Sequence, residues 1–86
     1  MYRVEFVREA EKQLEKIYRA DRRLYERFLT VFEDLRKDPS LGKPLKHDLK
    51  GLHSYRLGSY RIVYQIHQSQ LLVVIIDLGH RKEIYR

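Results

Sequence analysis

Ser54-Tyr55-Arg56-Leu57-Gly58-Ser59-Tyr60-Arg61-Ile62-Val63-Tyr64-Gln65-Ile66 is the stretch whose reading decides the fold. Its two arms follow a period of two around Gly58-Ser59, a dipeptide suited to a two-residue hairpin turn. Such a turn sets the register: Leu57 falls opposite Tyr60, and Arg56 falls opposite Arg61. Facing residues on paired strands project to the same side of the sheet. Tyr60, Ile62, Tyr64 and Ile66 therefore make an apolar side for helices to cover, while Arg56 and Arg61 share the open side. Two adjacent guanidiniums repel unless an anion or an acceptor lies between them. The open side is expected to be a phosphate cradle.

Downstream, a second turn near Gln68-Ser69 leads into the most apolar run of the chain, from Leu71 to Leu78. That run reads as a buried strand. It delivers Gly79-His80-Arg81-Lys82-Glu83-Ile84-Tyr85-Arg86 at one rigid edge, with His80 expected on a loop beside Arg81. Cleaving an RNA phosphodiester without a metal needs cations for the phosphate and titratable groups for proton transfer. Imidazole, guanidinium, ammonium and phenol supply that inventory.

Upstream, the period is different. Tyr2-Arg3-Val4-Glu5-Phe6-Val7 alternates as a half-buried strand does. Ala10, Leu14, Ile17 and Tyr18 then fall at i, i+4, i+7 and i+8, predicting a first helix from about Arg8 to Arg19. Asp21 is expected to N-cap a second helix whose apolar face is Leu24, Phe28, Val31, Phe32 and Leu35. That helix should stop near Lys37, because Asp38 precedes Pro39 and is pushed away from helical dihedrals. Pro39 to Gly51 reads as a basic loop carrying Lys43, Lys46, His47 and Lys50, with a short extended piece around Leu45. The expected architecture is α+β: an N-terminal strand, a two-helix hairpin, then a three-stranded antiparallel meander with both helices on one sheet face.

Composition bounds the rest. Eighty-six residues are read as one domain, 1–86, with a modest core. The 43% hydrophobic fraction excludes a disordered chain, and no apolar run approaches the roughly 20 residues of a membrane span. The N-terminus lacks the apolar stretch of a signal peptide. There is no cysteine, and the histidines at 47, 53, 67 and 80 have no metal-ligand spacing, so neither a zinc site nor any cofactor is expected. A cytoplasmic location without membrane contact follows. Net charge is +6 and uneven: residues 1–42 carry ten Lys/Arg against nine Asp/Glu, whereas residues 43–86 carry eight against three. The C-terminal half therefore reads as the surface that meets an anion, with nucleic acid as the expected class.

The strand Tyr60-Arg61-Ile62-Val63-Tyr64-Gln65 and the ending Leu78-Gly79-His80-Arg81-Lys82-Glu83-Ile84-Tyr85-Arg86, in this order and at this separation, resemble the RelE/ParE superfamily of toxin–antitoxin toxins. The resemblance covers essentially the whole chain. Its RelE branch implies a metal-independent endoribonuclease that cuts mRNA in the ribosomal A site, inhibits translation and is held inactive by a cognate antitoxin. The ParE branch shares the fold and implies the alternative, a non-enzymatic poison of DNA gyrase. On the RelE reading, Arg61 matches the arginine that stabilises the scissile phosphate, and Arg81 one that stabilises transition-state charge or the leaving group. Tyr85 matches an aromatic that stacks on a base or moves a proton. Arg56 falls near one family lysine, while Ser54 stands where a second is expected, which leaves the general base open. His80 is the substitute candidate, since imidazole has a reference pKa near 6.5. Lys43, Lys46, Lys50, Lys82 and Arg86 are the expected contacts to RNA or the ribosome.

Overall fold

The switch of period after residue 51 becomes a division between a helical layer and a sheet. The computed structural model describes residues 1–80. In chain order these form β1 (Arg3–Phe6), α1 (Arg8–Ala20), α2 (Arg22–Lys37), β2 (Lys43–Pro44), β3 (His53–Leu57), β4 (Tyr60–His67) and β5 (Leu72–His80). Single 3-10 turns fill Pro39–Leu41, His47–Leu49 and Gln68–Gln70. The five strands make one sheet in the order β1-β5-β4-β3-β2. β3, β4 and β5 are the expected antiparallel meander, and β2 adds an antiparallel edge next to β3. β1 closes the other edge parallel to β5, which a chain can do only after a long crossover, here the helix hairpin and all that follows it.

Local chemistry sets the helix ends. The Asp21 carboxylate accepts a hydrogen bond from the Leu24 amide at 3.0 Å, satisfying one of the open donors of α2. Asp38, in extended backbone ahead of Pro39, ends that helix at Lys37. Replacing Asp21 by Ala should lower stability by about 1 kcal/mol, measured as a shift of the urea midpoint at unchanged slope.

Both helices bury their apolar stripes on the same sheet face. Phe28, Leu35, Ile62, Tyr64, Val73 and Ile75 are fully buried and form the centre of the core. Phe28 meets the Tyr60 ring edge-on at 5.8 Å, and Phe6 meets Phe32 in the same way at 5.0 Å. Tyr60 and Ile62 thus face the helices, as the hairpin register requires.

One irregularity decides what happens at the far end of β5. Val63 pairs with Asp77, but Tyr64 pairs with Ile75, so Ile76 is an extra residue in a β-bulge. Strict alternation from buried Val73 and Ile75 would turn Asp77 into the core. The bulge instead sends Leu78 inward, where it is buried, and spares the carboxylate.

Candidate active site on the open sheet face

Gly58 adopts φ +59°, the left-handed region that closes a tight two-residue turn. Leu57 then pairs with Tyr60 and Arg56 with Arg61, the register expected from the sequence. The next row on the same face runs from Lys43 on β2 to Ser54 on β3, Val63 on β4 and Asp77 on β5. Ser54 is buried and accepts a hydrogen bond from Arg61 Nη1 at 3.3 Å. A cleft of about 540 Å³ opens here, lined by Leu41, Lys43, Pro44, Leu45, Lys46, Ser54, Tyr55, Arg56 and Arg61. Four of these nine side chains are cationic, and no carboxylate is among the described residues that line it. Such a concentration of one sign in a concave site raises the local population of anions.

The residues named from sequence therefore separate. Arg56, Arg61, Lys43 and Lys46 come together in the cleft. Lys50, at the end of the His47–Leu49 turn, is exposed and does not line it. Arg81, Lys82, Tyr85 and Arg86 lie outside the described residues.

His80 requires a correction. It is not on a loop but is the last residue of β5, and it pairs with Tyr60, while Gly79 pairs with Arg61. Its ring meets the Tyr60 ring edge-on at 5.6 Å. It therefore projects to the same side of the sheet as Tyr60, opposite to the side shared by Arg56 and Arg61. The bulge at Ile76 is the reason, since it moves His80 from one face to the other. Asp77 is the signal for it: a carboxylate that alternation would bury marks a register shift.

Ser54, already placed where a second family lysine is expected, lies two residues before Arg56, shares its face and lines the cleft. One further contributor escaped sequence reading. Tyr64 was not readable as a site element. Its ring lies in the core, but its hydroxyl donates to the Pro39 carbonyl at 2.7 Å and accepts from the Gly42 amide at 2.9 Å. Burial pushes the Tyr64 phenol up; the Gly42 amide opposes this, and Asp38 and Tyr55 add to the rise. A raised folded value keeps the phenol protonated through neutral pH. Its contribution to stability is whole below about pH 10 and is lost as pH climbs through the folded value. Asp38 braces the same turn by accepting from the Ser40 hydroxyl at 2.6 Å and the Ser40 amide at 3.1 Å. These bonds, the hydroxyl foremost, hold its carboxyl below the usual range despite slight desolvation.

Comparison with known proteins places this architecture. A family profile described as the ParE toxin of the type II toxin–antitoxin system parDE matches residues 4–85. The chain belongs to that family. Toxin RelG of Mycobacterium tuberculosis is 44% identical over 57 residues, covering 65% of this chain and 66% of the relative. Toxin RelE of the same organism is 49% identical over 57 residues, covering 65% of this chain and 59% of the relative. The match thus spans less than two thirds of the length of either. Among solved structures, a chain of the RelBE2 toxin–antitoxin complex of M. tuberculosis superposes with a TM-score of 0.83 at 35% identity. That superposition covers 93% of this chain and 98% of the other. The family member described here shares the α+β fold of these toxins, and among its described residues no helix is long and apolar enough to cross a membrane.

Proposed function

We propose that this ParE-family chain is the toxin of a toxin–antitoxin pair and acts as an endoribonuclease on mRNA in the ribosomal A site. The observation that carries the reading is the Arg56–Arg61 pair set with Lys43 and Lys46 in one concave cleft on the open sheet face. In this reaction the 2′-hydroxyl loses its proton and attacks the adjacent phosphorus. The P–O5′ bond breaks and O5′ takes up a proton, leaving a 2′,3′-cyclic phosphate and a 5′-hydroxyl. Arg61, assisted by Arg56, stabilises the charge that grows on the phosphoryl oxygens. Arg81 serves the leaving side and Tyr85 handles a proton, roles that rest on the resemblance alone. Lys50 contacts RNA or the ribosome from outside the cleft, and Lys82 and Arg86 are further contacts to RNA or the ribosome, a role that rests on the sequence alone.

The family description names ParE, and a poison of DNA gyrase is the second reading. Expressing the chain in cells and mapping both mRNA 5′ ends and DNA breaks separates the two. New mRNA ends that disappear with Arg61→Ala support the ribonuclease. DNA breaks over intact mRNA support the gyrase poison.

The partner that restrains the toxin is a cognate antitoxin, the kind of complex in which the RelBE2 chain was solved. Binding only the folded toxin, it should raise apparent stability by about 2.7 kcal/mol at a hundredfold excess over its Kd. Thermal melts of the toxin alone and of the complex check this, and equal melting temperatures would contradict it.

A further inference from the structure

We infer that Tyr64 is a positioning residue for the cleft: its buried hydroxyl docks the edge strand β2 so that Lys43 stands beside Ser54 and Arg61 as a phosphate contact. This rests on the RNA reading above and adds a residue to it. β2 is two residues long, and its partner strand on one side is β3 alone. So short an edge, with a proline for its second residue, has few ladder bonds of its own to hold it. The chain leading into it is fastened elsewhere. Tyr64 crosses from the core to the sheet edge and bonds both ends of the turn before Lys43, at the Pro39 carbonyl and the Gly42 amide. Gly42 lets the two meet: a Cβ there would overlap the Tyr64 hydroxyl and come within 2.8 Å of the Ser54 carbonyl. The fit is a close approach between the core tyrosine and the backbone that carries the lysine. It places the Lys43–Ser54 pair one row from Arg56–Arg61.

The ligand class is the phosphate backbone of single-stranded RNA, and the probe is a 2′-O-methyl oligoribonucleotide, which binds but lacks the attacking hydroxyl. Its dissociation constant is measured against salt concentration for the isolated chain and its variants. Lys43→Ala should reduce the salt slope by about 0.7, the value for one lost phosphate contact on a single strand. Tyr64→Phe, which keeps the ring and removes only the hydroxyl, should weaken binding as much as Lys43→Ala. The double variant should lose no more than either alone, because both remove one contact. Gly42→Ala pushes β2 off the same hydroxyl from outside the core and should give the same loss, independently of how well Tyr64→Phe folds. Parent-like affinity of both Tyr64→Phe and Gly42→Ala would overturn the inference, as would full additivity with Lys43→Ala. If the parent binds and Lys43→Ala binds equally well, this inference fails. If the parent does not bind, the inference also fails, because the cleft then holds no RNA phosphate by itself, while the A-site reading is decided separately by cleavage on programmed ribosomes.

Discussion

Arg61→Ala should slow single-turnover mRNA cleavage on programmed ribosomes by about 10²–10³, with substrate binding changed far less. That range is typical for removing one preorganised donor aimed at developing charge. Arg61 suits the role because its place is over-determined. The Gly58-Ser59 turn sets its register, Arg56 faces it across the ladder, and Ser54 accepts from its guanidinium at 3.3 Å. Little reorganisation is left to perform when charge appears on the phosphate. Arg61→Lys should recover only part of the loss, since an ammonium cannot reproduce the planar fork. His80→Ala provides the contrast. Were it the proton-transfer group, its loss would cost roughly 10²–10⁴, but from the opposite face it should change the rate by no more than a few fold. A large His80 effect with an intact Arg61→Ala enzyme would reverse the assignment.

Phe28→Ala should destabilise the fold by about 3–5 kcal/mol, the usual range for emptying a buried aromatic site. Its side chain is fully buried, lies 6.2 Å from the Phe32 ring and meets the Tyr60 ring edge-on. For a domain of this size total stability is on the order of 4–13 kcal/mol, so one substitution removes a large share of it. Because Tyr60 is the neighbour of Arg61 on β4, this cavity also loosens the strand that carries the site. The adjacent Leu29, 43% exposed on the same helix, is the internal control and should shift stability by about 0.5 kcal/mol or less on replacement by Ala. Urea denaturation of the two variants checks both figures. A Phe28→Ala midpoint close to that of the parent would show that α2 does not hold the sheet as described.

What could be read from the sequence was what local chemistry controls. Asp21 and Asp38-Pro39 mark the limits of α2 through a side-chain cap and a steric veto, so Arg22–Lys37 was legible almost to the residue. The β3–β4 register was legible because Gly58-Ser59 admits few turns, and the Arg56–Arg61 pair followed from it. Features set by distant parts of the chain were not. β1 lies parallel to β5 because the hydrophobic faces meet there, and nothing within residues 3–6 states the partner. The two-residue β2 is too short to show a period, and it exists through Ser54 and His53 opposite it. The β5 bulge reversed the face of His80, and only Asp77 hinted at it. The latch from Tyr64 to Gly42 joins residues 22 apart, a contact that periodicity cannot carry.

The chemistry of the product ends tests the central claim most directly. Ribosomes programmed with a defined mRNA are incubated with the parent chain, and both fragments are analysed by mass spectrometry. Attack by the 2′-hydroxyl over the arginine cleft predicts a 2′,3′-cyclic phosphate on the upstream fragment and a 5′-hydroxyl on the downstream one. A 5′-phosphate on the downstream fragment, or mRNA left intact by toxin that still arrests growth, would contradict the account.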